Sequence, residues 1–113
     1  MVAGCQSGKT TKFITPKAHK VELTQLITEL GSKYKLQDKL AESNIPEAFV
    51  YYINGEAGSW LMIGAREYEG VYVVDVSIYE AGIYDKEKYL SLETEAKKQL
   101  EALYGESLKV VYE

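Results

Sequence analysis

Asp75 and Arg66 are the two side chains whose types and spacing come nearest to chemistry. Asp75 interrupts an apolar run, Val71–Tyr79, and a carboxylate inside a sheet needs a partner or a raised pKa. Arg66, at the end of the preceding apolar run, can supply that charge. Acid catalysis or a polar ligand contact is one use of such a pair, and a structural ion pair on an open sheet face is the other. Nothing else in the chain completes a catalytic set. His19 is the only histidine and Cys5 the only cysteine. A multi-histidine or cysteine-rich metal centre within one chain is therefore excluded, as is an intramolecular disulfide. Glu67 and Glu69 flank a tight turn and read as solvated. The expectation is a non-enzymatic protein with no cofactor, and an enzyme built on Asp75 and Arg66 is the weaker alternative.

The N-terminus carries two short patterns. Ala3-Gly4-Cys5-Gln6-Ser7-Gly8-Lys9-Thr10 satisfies a relaxed P-loop spacing. A phosphate cradle needs a strand before the loop and a helix after it. Two residues precede this one, and Pro16 follows closely, so no nucleotide partner is expected. Val2-Ala3-Gly4-Cys5 resembles the lipobox of bacterial lipoproteins. In that family the cysteine is lipidated and becomes the first mature residue. The resemblance covers four residues, and only Met1 stands before them, without the charged and apolar regions of a signal peptide. It implies lipidation at Cys5 and an envelope location, at the outer membrane in a Gram-negative cell given Gln6. A cytoplasmic location is the alternative.

Composition narrows the remaining classes. The chain of 113 residues fits one domain, and 46% hydrophobic residues suffice for a core. Its net charge of −4 argues against non-specific binding to nucleic acid or to an anionic membrane surface. Membrane contact is expected only through a lipid on Cys5.

The elements that must position these residues follow from periodicity. Residues 1–18 are polar and basic with no sustained period, and read as a flexible tether. Val21, Leu23, Leu26, Ile27, Leu30 and Tyr34 recur at helical spacing, predicting a helix over 20–33. Gly31 weakens its last turn or ends it. A second short helical piece is expected at 36–43. Ala48–Ile53, Trp60–Ala65 and Val71–Tyr79 are rich in β-branched and aromatic residues and are broken by turn formers, predicting an antiparallel meander. Asp85 is a suitable N-cap for a further helix with Tyr89, Leu92, Ala96, Leu100 and Leu103 as its buried stripe. Gly105 ends it, and Leu108–Tyr112 is a last strand parallel to the third. The expected fold is thus α+β. Two main helices pack on a four-stranded, mostly antiparallel sheet in the order α-(short α)-β-β-β-α-β, with residues 19–113 as the single domain.

Ten tyrosines are the oddest feature of the composition. Tyr34, Tyr51, Tyr72 and Tyr89 fall on stripes expected to face the core, whereas Tyr52, Tyr79, Tyr84 and Trp60 do not. With Val50, Met62, Val71 and Val73, this second group forms an expected apolar patch on the uncovered sheet face. Such patches mark partner surfaces. The leading expectation is a small envelope lipoprotein acting as a protein-interaction or assembly module, with a protein partner or a sheet-to-sheet homodimer. A small ligand-binding or regulatory domain is the alternative. Its aromatic cleft would lie between the sheet and the loops near Gly55–Gly58 and Gly82–Tyr84.

Overall fold

A computed structural model describes residues 6–56, 59–81 and 86–112. Cys5, the rest of its lipobox-like tetrapeptide, Asp85 and the loop 82–84 lie outside the described residues. Among the described residues six strands form one sheet: β1 (Gln6–Pro16), β2 (Gln37–Asp38), β3 (Ala48–Glu56), β4 (Ser59–Tyr68), β5 (Val71–Ala81) and β6 (Lys109–Tyr112). Two helices accompany it, α1 (Lys20–Lys33) and α2 (Lys86–Tyr104). The spatial order is β2-β3-β4-β5-β1-β6, and every neighbouring pair is antiparallel.

This corrects the four-stranded expectation. The first correction is β1. The stretch read as a tether pairs with β5 along its whole length, from Gln6 opposite Ala81 to Pro16 opposite Val71, and takes β6 on its other side. Its alternation was hidden because two of its three inward residues are threonines. Thr11, Phe13 and Thr15 are at most 1% exposed, while Lys12 and Ile14 face the other way. Burying a hydroxyl costs free energy unless it is hydrogen-bonded. Thr11 Oγ1 lies 2.6 Å from the Tyr89 hydroxyl and also donates to Glu93, and Thr15 Oγ1 donates to the Pro16 carbonyl at 2.9 Å. A threonine with such partners behaves as a core residue.

The second correction concerns residues 36–43. They form the two-residue β2 on the edge of β3, then a single 3₁₀ turn at Leu40–Glu42. The third concerns the last strand. β6 does run in the same direction as β5, but β1 is inserted between them, so β6 pairs with β1.

Both helices cover the same face. Leu23, Leu26, Ile27 and Leu30 of α1 and Tyr89, Leu92, Ala96 and Leu100 of α2 are buried against Phe13, Val50, Ile63, Tyr72, Val74 and Val76. Each fully buried aliphatic or aromatic side chain is worth about 1.5–3 kcal/mol of transfer free energy. Helix α1 runs past Gly31 to Lys33, and the glycine is its contact point with the sheet. A Cβ there would stand 2.6 Å from the Tyr52 ring. The two helices are tied together where Tyr34 meets Ser91 at 2.6 Å and donates to Glu95, beside the Lys33–Glu95 pair at 2.6 Å.

A bulge between Ala48 and Val50 sets the faces of β3. It lets Phe49 reach the Tyr72 ring, 5.2 Å between centroids, although Val50 is itself in the core. Beyond the bulge, Tyr52 turns toward α1 while Tyr51 and Ile53 turn away from the helices. An extra residue in a strand reverses which alternate residues share a face. It leaves Phe49 on the helix face and Tyr51 and Ile53 on the open face, so Tyr51 does not face the core as expected.

Candidate ligand groove on the open sheet face

The sheet face away from the helices is ordered in rows set by the strand registers. Gly8, Tyr79, Trp60 and Gly55 make the first row, and Thr10, Ser77, Met62, Ile53 and Gln37 the second. Lys12, Asp75, Gly64 and Tyr51 follow, then Ile14, Val73, Arg66 and Ala48. Among the residues expected to form an interface, Trp60, Met62, Val71, Val73 and Tyr79 do lie on this face. Val50 and Tyr52 lie on the helix face, for the reason given by the bulge.

The open face is not one continuous apolar patch. Asp75 stands at its centre, accepting from Lys12 Nζ at 3.1 Å and from Arg66 Nε at 3.3 Å. Its side chain is only 14% exposed. Arg66 also lies 5.5 Å from the centroid of the Tyr68 ring. This charged band separates Val71 and Val73 from Trp60, Met62 and Tyr79, and Val73 is buried beneath its neighbours. The Asp75–Arg66 pair therefore occurs with Lys12 as a third member that belongs to β1. Glu67, by contrast, is drawn to the β1–α1 connection. A hydrogen bond from Lys17, with Lys20 beyond it, holds its carboxyl below the usual glutamate range.

Residues 39–45 lie over one corner of the open face. Asp38 accepts from the Leu40 amide at 3.1 Å, and the Lys39 amide donates to the Tyr51 carbonyl at 3.0 Å, so this segment is held on the edge of β3. Ile45 comes down beside Tyr51, Met62 and Gly64, closing the inner end. Burial raises the Tyr51 phenol above its ordinary pKa. Between this segment and Trp60 runs an open groove of about 740 Å³. That is within the range of small-molecule sites, roughly 300–1,000 Å³.

The groove wall at Trp60 has a definite construction. On one side Trp60 is stacked on Tyr79, with centroids 5.9 Å apart and planes 25° apart. On the other side its cross-strand partner is Gly55. A side chain at position 55 would begin 3.1 Å from the Trp60 Cβ and 3.2 Å from the Ser59 carbonyl, so glycine relieves crowding on that side of Trp60. The remaining lining is Tyr51, Ile53, Ile45 and a polar rim of Gln37, Lys39, Glu42, Ser43, Asn44, Asn54 and Ser59.

The other sequence-derived sites fall elsewhere. Gly8, Lys9 and Thr10 are extended residues of β1 paired opposite Tyr79, Ile78 and Ser77, not a loop curled around a phosphate. His19 precedes α1 with a left-handed φ of 61° and its ring 5.8 Å from that of Tyr104. Among the described residues no three His, Cys, Asp or Glu side chains cluster as a metal site. No described helix is long and apolar enough to cross a membrane. The rim residues 37–44 were not among the candidate site residues expected from the sequence. The one available signal was Ile45-Pro46, which forces extended backbone after a short polar stretch.

No protein-family model matches the chain, and no curated protein matches it. Among solved structures it is similar to a de novo designed protein, Foldit4, at 17% sequence identity, covering 95% of this chain and 97% of that one. The TM-score of 0.46 makes this likeness too loose to carry an argument about fold or function.

Proposed function

We propose that the protein is a non-catalytic binding module whose ligand lies in the groove between residues 39–45 and Trp60. One observation carries the reading: Trp60 is backed by Tyr79 on one side, and its cross-strand neighbour on the other is Gly55, which has no side chain. A large aromatic residue held from behind and open in front is a binding wall. Sheet-to-sheet dimerisation over the whole open face is the poorer reading. It would bury the Lys12–Asp75–Arg66 band, and the desolvation of such charges can exceed their mutual attraction.

A fragment library screened by amide and indole NMR shifts tests the proposal on the full chain. The expected hits move Tyr51, Ile53, Gly55 and the Trp60 indole together. Hits confined to the helices, or none at all, would refute it.

The envelope setting implied by the lipobox resemblance belongs to the same proposal. β1 begins at Gln6, directly after Cys5. A lipid on Cys5 would then hold the domain against the bilayer without an intervening tether. Intact mass of the protein from its native host decides this. An acylated Cys5 supports the setting, and an unmodified chain removes it.

A further inference from the structure

We propose that the ligand of this groove is an uncharged saccharide, bound as pyranose units packed against Trp60. The inference rests on the binding reading above and adds the chemical class of the ligand.

Three features of the groove select that class. First, among the described residues its lining carries one cation, Lys39, and one anion, Glu42. Opposite charges in equal number give no net field to attract a phosphate, a polyanion or a polycation. Second, the rest of the polar rim is made of carboxamides and hydroxyls, with the Asn44 and Gln37 side chains the largest that reach the open face. A carboxamide offers both donors and acceptors, and a sugar hydroxyl is likewise both. An apolar ligand would cover these groups without satisfying them, at a cost of about 1–3 kcal/mol for each one left unpaired. Third, Trp60 supplies a broad aromatic surface in the same groove. An aromatic ring is electron-rich on its face. The C–H face of a pyranose is its electropositive, weakly hydrated side, so ring and sugar are complementary in charge and shape.

An extended peptide is the closest competitor, and the strand edge argues against it. Peptides that add to a sheet take their affinity from main-chain hydrogen bonds to a free edge. Over Tyr51–Ile53 that edge is already used. Gln37 and Asp38 pair with Ile53 and Tyr52, and the Lys39 amide takes the Tyr51 carbonyl.

The chain has a single tryptophan, so its emission reports the surroundings of Trp60, which also borders a depression beside Gly8, Lys9 and Tyr79. The experiment titrates the full chain with neutral tetrasaccharides (cellotetraose, maltotetraose and chitotetraose), a sulfated tetrasaccharide and an uncharged tetrapeptide. The expected result is a saturable change in Trp60 emission with at least one neutral tetrasaccharide. Binding should weaken at least tenfold in Asn44→Ala, whose exposed position leaves the fold intact, and calorimetry should show it lost in Trp60→Ala. If the sulfated sugar or the peptide binds at Trp60 and no neutral saccharide does, the ligand class is wrong and the binding reading survives. If none of these probes binds and the fragment screen is also silent at Trp60, both fall. A neutral saccharide that binds equally well to Asn44→Ala and Trp60→Ala would also overturn the assignment.

Discussion

Replacing Gly31 with alanine sets a local preference against a tertiary contact, and the structure says which wins. In a helix interior alanine is better than glycine by about 1 kcal/mol. At position 31, however, the new Cβ would lie 2.6 Å from both Cγ and Cδ2 of Tyr52 and 3.0 Å from its Cβ. Carbon atoms in good contact sit about 3.5–4.0 Å apart, so the overlap approaches 1 Å. The ring cannot swing clear, because the tyrosine Cβ is itself too close and β3 is paired on both sides of Tyr52. Overpacking of this kind costs about 1–3 kcal/mol. The net expectation is a loss of about 1 kcal/mol, reaching 2 where α1 is least able to shift. Urea unfolding of four proteins measures it: wild type, Gly31→Ala, Tyr52→Ala and the double variant. On the Tyr52→Ala background the ring is gone, and Gly31→Ala should become neutral or stabilising. The coupling between the two sites should be about 1–3 kcal/mol. A Gly31→Ala protein more stable than wild type, or an equal cost on both backgrounds, would refute the close approach of α1 to β3.

Three further outcomes follow from the fold. A chain beginning at residue 19 should show no cooperative unfolding, since it lacks Phe13, Thr11 and the strand that joins β5 to β6; a folded 19–113 domain by circular dichroism would restore the tether reading. Glu69→Asn should raise the unfolding free energy measured in urea by about 0.5–1 kcal/mol, because Glu69 and Gly70 form a two-residue hairpin loop with φ of 47° and 84°, a turn that favours Asn-Gly. The Glu95 carboxyl is held below its ordinary 4.5 by hydrogen bonds from Lys33 and then Tyr34, so its contribution is present above about pH 4.5 and is lost as pH falls through the lowered value. Glu95→Gln should therefore flatten the acid limb of the stability–pH curve below that point and leave the neutral region nearly flat in pH, read by thermal melts across pH 2.5–7 (roughly the carboxylate titration range).

The amino-acid sequence alone determined the elements whose signals are local. Helix α1 was legible from Lys20 to Lys33 because its apolar residues repeat every three to four positions, and α2 because Tyr89, Leu92, Ala96 and Leu100 do the same before Gly105. The β3–β4–β5 meander was legible because turn formers separate its apolar runs. Only tertiary structure decided the rest. β1 is central because Thr11 finds Tyr89 and Glu93, some eighty residues away, and a threonine shows its apolar use only once its hydroxyl has such a partner. The face of Tyr51 was decided by a bulge, which leaves no mark in a two-residue period. The groove exists because residues 39–45 bond to a β3 carbonyl and so overhang a sheet they do not extend. Local pattern records which residues prefer to be strand or helix. It does not record which strand lies next to which, and both the core position of β1 and the wall beside Trp60 depend on that.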